Sequence, residues 1–172
     1  MEPDFQALWQ EALPWSAFFN QGMDQRTLWD GVYRHVKIPD WAIAAAAQQD
    51  GLHLLVITED WCGDAANTVP VLVALADRVP GLKLRILPRD QYPALMNRYL
   101  TDGSRSIPIV IGLDQDFREL GHWGPRPAEL QAWVMAHKAT IPTDQRYAEA
   151  RRWYARDKGE STLREVLAAI ES

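Results

Sequence analysis

The chain has little of what several common protein classes require. Its 172 residues include a single cysteine, Cys62, so no disulfide can form within the chain. No apolar run approaches the roughly 18 residues of a membrane-spanning helix, and the first four residues lack the basic and apolar regions of a secretory signal. We therefore expect a cytoplasmic protein without a membrane partner, and one cysteine fits a reducing compartment.

Clustered basic residues and metal-ligand spacings are also missing. The net charge is −5 and no run of Lys or Arg stands out, so no nucleic-acid partner is expected, because phosphate binding depends on clustered cations. With one sulfur and four scattered histidines, no metal site is predicted, and we expect no cofactor. The histidines are His35, His53, His122 and His137.

The length and the apolar pattern predict one domain, 1–172, with helices at both ends and an alternating centre. Region 1–50 is predicted to be a helical extension, with helices behind Asp4 and Asp24 and one beginning at Pro39. Region 140–172 is predicted to be a second helical extension. In the centre, the predicted strands are 52–58, 82–87, 109–113 and a returning 117–122, and the predicted helices are 65–79, 92–100 and 127–137.

Cys62 lies where the first central strand gives way to a helix, in the segment 59–65. The first-turn amides of a helix carry partial positive charge and stabilise a thiolate, which is the reactive form of cysteine. Nearby Asp60 and Asp64 oppose ionisation by like-charge repulsion. Since these effects are of similar size, the sequence predicts an apparent thiol pKa of about 7 to 8.5.

Four features of the sequence resemble the thioredoxin family. Trp61-Cys62-Gly63 matches the start of the family's active site, Pro70 lies where its active-site helix is kinked, and Gly121 lies near a glycine of its last strand. The stretch Arg105 to Pro108 is similar to the loop whose cis-proline faces the cysteine. The resemblance covers 53–138 and is closest to bacterial thioredoxin-like proteins with added helices.

The resemblance implies an α/β thioredoxin-like fold, in which a mixed sheet of four or five strands is flanked by helices. It implies that Cys62 is the catalytic thiol and that the partner-binding residues surround it. These are Trp61, Gly63, Asp64, Ala65, Ile107 and Pro108. The Ile107–Pro108 bond is expected to be cis.

One departure from the family's pattern limits the chemistry. Ala65 occupies the position of the resolving cysteine, three residues after Cys62, and the central strand has no acidic residue to accept a proton. The sequence therefore predicts a monothiol redox protein that exchanges with a protein disulfide or a thiol, glutathione being one candidate. An external thiol would resolve the mixed disulfide.

The alternative is a binding or chaperone-like module that uses the groove beside Pro108 without catalysis. Its added helices would pack on the fold or pair with another subunit. Cys62 would then be a small buried hydrophobe, the commonest role of a lone cysteine.

Overall fold

The computed structural model describes residues 1–20 and 22–171. The described helices, numbered in chain order, are α1 Phe5–Glu11, α2 Trp15–Phe18, α3 Arg26–His35, α4 Asp40–Ala46, α5 Gly63–Arg78, α6 Pro93–Met96, α7 Ala128–His137, α8 Thr143–Asp157 and α9 Glu160–Ala169. The described strands are β1 Leu13–Pro14, β2 His53–Thr58, β3 Lys83–Pro88, β4 Ile109–Leu113 and β5 Glu119–Trp123.

The five strands form one mixed sheet in the order β1-β3-β2-β4-β5. β2 and β3 run parallel, whereas β4 is antiparallel to β2 and β5 is antiparallel to β4. A mixed sheet flanked by helices was predicted, and this prediction is confirmed. The parallel pair is joined by α5, the long crossover helix that such a connection needs.

The centre of the sheet is fully buried. All six residues of β2 and all five of β4 are buried, which explains the nearly continuous apolar runs in these strands. The hydrophobic core extends along the chain from Phe5 to Ile170, so side chains from both terminal regions pack on the sheet and on α5. This packing fixes α5, and with it the residues at its N-terminus.

The N-terminal region, 1–50, matches the sequence-based prediction only in part. In the region predicted to be entirely helical, 1–50, the structure has the short strand β1, which pairs antiparallel with β3 at the edge of the sheet. Two residues are too few to show a strand periodicity, so the pattern could not reveal them. The cap of α1 was anticipated, since the Asp4 carboxylate accepts the amide of Ala7 at 3.0 Å.

The predicted helix at 92–100 is wrong in extent. A single 3₁₀ turn covers Arg89–Gln91, and α6 spans only Pro93–Met96 before the chain turns at Asn97. The apolar residues that suggested a longer helix are nevertheless buried: Leu95 and Met96 pack into the core from α6, and Tyr99 packs into it from the turn that follows. None of the helices within 1–20 and 22–171 is long and apolar enough to cross a membrane.

Gly121 in β5 lies against the backbone of α9. A Cβ atom at this position would overlap the carbonyl group of Ala169. Glycine is therefore required for α9 to pack closely on β5. This packing explains why a glycine stands at position 121, one of the four features that resemble the thioredoxin family.

Replacing Gly121 with Ala should destabilise the fold by about 2 kcal/mol, because the backbone of α9 must move away from β5. Gly31→Ala is the matched control: Gly31 lies inside α3 with no atom within 4 Å of the added Cβ, so it should stabilise by about 0.5 to 1 kcal/mol. Urea unfolding of both variants measures the difference. A Gly121→Ala variant as stable as the parent would contradict the close packing.

Candidate functional site

Cys62 is the N-cap residue of α5 and directly follows the loop after β2. Its Sγ atom accepts the backbone N–H of Ala65 at 3.4 Å, and its S–H group donates to the carbonyl of Ile107 at 3.5 Å. The Ile107–Pro108 peptide bond is cis, as the resemblance implied. The start of α5 and the proline loop therefore meet at the sulfur atom, as the resemblance implied.

A cavity of about 610 Å³ lies beside Cys62. Five of the seven predicted site residues line it: Trp61, Cys62, Gly63, Asp64 and Ile107. The other two, Ala65 and Pro108, are buried and do not line it. A larger cavity of about 1210 Å³ lies between α3, α4 and α8 and does not include Cys62.

Trp61 is an exposed aromatic residue of the site, with 47% of its surface accessible. The Arg89 guanidinium lies 5.2 Å from its ring centroid, within cation–π range. The side-chain amide of Gln25 donates a hydrogen bond to the Trp61 carbonyl. The indole is thus fixed at the cavity wall, where it offers apolar surface to a bound molecule.

The Cys62 side chain is only 7% exposed, and this burial dominates its chemistry. Loss of solvation raises the pKa of the thiol to about 11, and the negative charge of Asp64 adds to the rise. The Ala65 amide and the charge of Arg126 lower the pKa but do not compensate for the burial.

The sequence-based expectation of about 7 to 8.5 is therefore wrong. Burial shifts a pKa by up to about 3 to 5 units, whereas a helix terminus accounts for about 1.5 units at most. The sequence could not show how deeply the thiol lies.

The Asp64 carboxylate is held on both sides. Its Oδ2 atom accepts from Arg126 Nε at 2.9 Å, and its Oδ1 atom accepts from the Tyr154 hydroxyl at 2.7 Å. Arg126 also donates to the Gln131 side chain at 2.8 Å. Burial raises the pKa of Asp64, while Arg126 and Tyr154 act in the opposite direction. A hydrogen-bonded carboxylate network therefore lies next to Cys62.

Sequence reasoning missed Arg126 and Tyr154 as members of the site. They lie 62 and 90 residues from Asp64 along the chain, and neither belongs to the active-site motif. The only available signal was that Arg126 falls within the Gly-Pro-Arg-Pro stretch that resembles bacterial relatives. No pattern connects Tyr154, in the last turn of α8, to the start of α5.

Other side chains near the motif have structural roles. The Glu59 carboxylate accepts the amide of Asp90 at 3.2 Å, and that of Asp60 accepts the amide of Asp24 at 3.0 Å. Trp123 is buried and donates its indole N–H to Glu165 at 3.0 Å. Trp123 does not line the cavity.

The fold and the site agree with the comparisons to known proteins. A family model described as thioredoxin matches residues 12–160. The chain belongs to the thioredoxin family. A search of curated proteins finds no match.

Two solved structures share this thioredoxin-like fold. One is a Pseudomonas aeruginosa protein of unknown function, with a TM-score of 0.76 and 20% identity, covering 97% of this chain and 96% of that one. The other is an HIV epitope-scaffold, with a TM-score of 0.74 and 19% identity, covering 96% of each chain. At these identities, the likeness is one of fold.

The alkylation of Cys62 should be slow at neutral pH and should rise about tenfold per pH unit up to about pH 11, because only the thiolate reacts. Iodoacetamide labelling of the native chain, followed by mass spectrometry, measures the profile. The same chain in urea is the control, and its exposed thiol should titrate near the ordinary value of about 8.5. A native plateau below pH 9 would contradict the burial argument.

Asp64→Asn should lower the Cys62 pKa by about 0.5 to 1 unit, because a negative charge is lost and Arg126 is left uncompensated beside the thiol. Asp60→Asn is the matched control, since it removes the same charge two residues before Cys62 and should have little effect. Labelling profiles of the two variants test this. Equal shifts in both would show that the Asp64–Arg126 pair has no special influence on the thiol.

Proposed function

We propose that this thioredoxin-family protein catalyses monothiol thiol–disulfide exchange through Cys62. The observation that carries the proposal is the position of the Cys62 Sγ atom. Cys62 is the N-cap residue of α5 and lines the cavity, and its Sγ atom contacts the carbonyl of Ile107, the residue before the cis-proline. A partner disulfide in the cavity can reach the sulfur from the side of Trp61 and Ile107. The partner is a protein disulfide or a mixed disulfide of a small thiol.

The exchange needs two steps because Cys62 is the only cysteine of the chain. The Cys62 thiolate attacks one sulfur of the partner disulfide, a new S–S bond forms, and the other sulfur leaves as a thiolate that takes up a proton. An external thiol, as its thiolate, then attacks the partner's sulfur in the mixed disulfide; an S–S bond forms between the external thiol and that sulfur, and Cys62 leaves as a thiolate that takes up a proton. The external thiol is thereby oxidised to a disulfide. A reducing cytoplasm would supply this thiol.

The raised pKa slows this chemistry without abolishing it. With a pKa of about 11, the thiolate fraction at pH 7 is about one in 10⁴, compared with about one half for a thiol of pKa 7. The greater nucleophilicity of the more basic thiolate recovers a factor of about 60. The free protein should therefore exchange about 100-fold more slowly than an optimally tuned thiol.

A second candidate function is ligand binding without catalysis. It is favoured by the 7% exposure of Cys62 and by the S–H···O contact to Ile107, both of which suit a protonated thiol. The same cavity would then hold a partner segment by contact with Trp61. The two functions differ in whether the sulfur exchanges at all.

This protein should accelerate insulin reduction by dithiothreitol little or not at all, since no second thiol releases the mixed disulfide. Ala65→Cys restores a Cys-x-x-Cys pair and should raise this activity at least about tenfold. The matched control is Ala66→Cys, which adds the same sulfur at an equally buried site one residue further along α5.

Turnover of a glutathione-mixed disulfide separates the two candidate functions. The parent protein should turn over this substrate, whereas Cys62→Ser should not. Absence of turnover in the parent, together with no gain from Ala65→Cys, would favour binding alone.

A further inference from the structure

The cavity beside Cys62 differs in charge from the protein as a whole. Six of its lining residues are Arg or Lys and three are Asp, so the lining has a net charge of +3, whereas the chain carries −5. The basic residues are Arg89, Arg105, Arg126, Lys138, Arg146 and Arg151. Positive charge is therefore concentrated where the partner must enter.

Most of the acidic residues in the lining are already paired. Asp64 pairs with Arg126 at 2.9 Å, and Asp90 pairs with Arg89 at 3.0 Å. Asp102 is the one lining carboxylate without a salt bridge within the described part of the chain. The excess of cations therefore remains after internal pairing.

Three of the cations are available to a ligand. Within residues 1–20 and 22–171, the side chains of Arg105, Lys138 and Arg151 form no salt bridge, and no hydrogen bond of theirs is found. Arg146 is different, because its guanidinium donates to the carbonyls of Lys138 and Ile141 and thereby holds the loop between α7 and α8. Unpaired guanidinium and ammonium groups in a concave site bind carboxylates through charge-assisted hydrogen bonds.

The size of the cavity restricts the ligand. About 610 Å³ lies in the middle of the range for small-molecule sites, roughly 300 to 1,000 Å³. Trp61, Ile107 and Met135 add apolar surface to the lining. A ligand with carboxylates at its ends and a short uncharged middle would satisfy both the cations and these side chains.

We propose that the cavity binds a small peptide-like thiol carrying at least two carboxylates, which Arg105, Lys138 and Arg151 recognise beside Cys62. This molecule would serve as the external thiol of the exchange, so its use depends on the proposed function, but its binding does not. Positive charge on the cavity lining would also raise the encounter rate with an anionic ligand at low ionic strength.

Binding can be measured without exchange in the Cys62→Ser variant. S-methylglutathione, which has two carboxylates and no free thiol, is the probe, and its diethyl ester is the matched neutralised probe. Calorimetric titration at low salt should show the acid binding at least about tenfold more tightly than the ester. The difference should shrink as salt is added, because solvent-exposed charges are screened.

Charge variants identify the cavity as the binding site. In the Cys62→Ser background, the triple change Arg105→Gln, Lys138→Gln and Arg151→Gln should weaken binding of the acid about tenfold. The control triple Arg34→Gln, Arg118→Gln and Arg152→Gln removes the same charge from residues that do not line the cavity and should leave affinity within about twofold.

Three results would overturn this inference: equal affinity for the acid and its ester, equal loss in both triple variants, or binding of an acidic peptide but not of S-methylglutathione. None of these depends on whether Cys62 exchanges. Conversely, tight binding of the acid together with no turnover in the parent protein would support the ligand class and refute the exchange.

Discussion

The largely buried carboxylate of Asp64 is the constraint on which this site depends. One residue after the thiol, it is held by Arg126 from the segment before α7 and by Tyr154 from α8. A buried carboxylate is costly unless its oxygens are paired, so the chain must bring both partners to the start of α5. The C-terminal helices are thereby joined to the thioredoxin-like core, and the same contacts set the electrostatic surroundings of Cys62.

Burial and the proposed exchange chemistry oppose each other at Cys62. The helix terminus and Arg126 favour the thiolate, but the loss of solvation is larger and keeps the thiol protonated. A single thiol in this state is a slow nucleophile, and without a second cysteine it cannot form an internal disulfide. A site of this kind suits exchange with a ligand that binds beside the sulfur better than rapid reduction of diverse proteins.

The positive charge of the cavity lining favours anionic partners. An acidic protein would repel small anions in general, yet the cations of the loop before β4, of Lys138 just after α7 and of α8 line the cavity beside Cys62. A local field of this sign is set by where the folded chain places its charges and is independent of the net charge. Selectivity for an anionic partner can therefore coexist with a pI of about 5.3.

The sequence by itself determined the fold and the position of the thiol. Continuous apolar runs mark the buried strands β2 and β4, and Trp61-Cys62-Gly63 with the later Ile107–Pro108 marks the two segments that meet at the sulfur, because these signals are local in the chain. Only the tertiary structure decided the depth of Cys62, the pairing of Asp64 with Arg126 and Tyr154, and the charge of the cavity. These properties depend on contacts between residues 62 to 90 positions apart and on how much water the packed helices exclude, which no local pattern encodes.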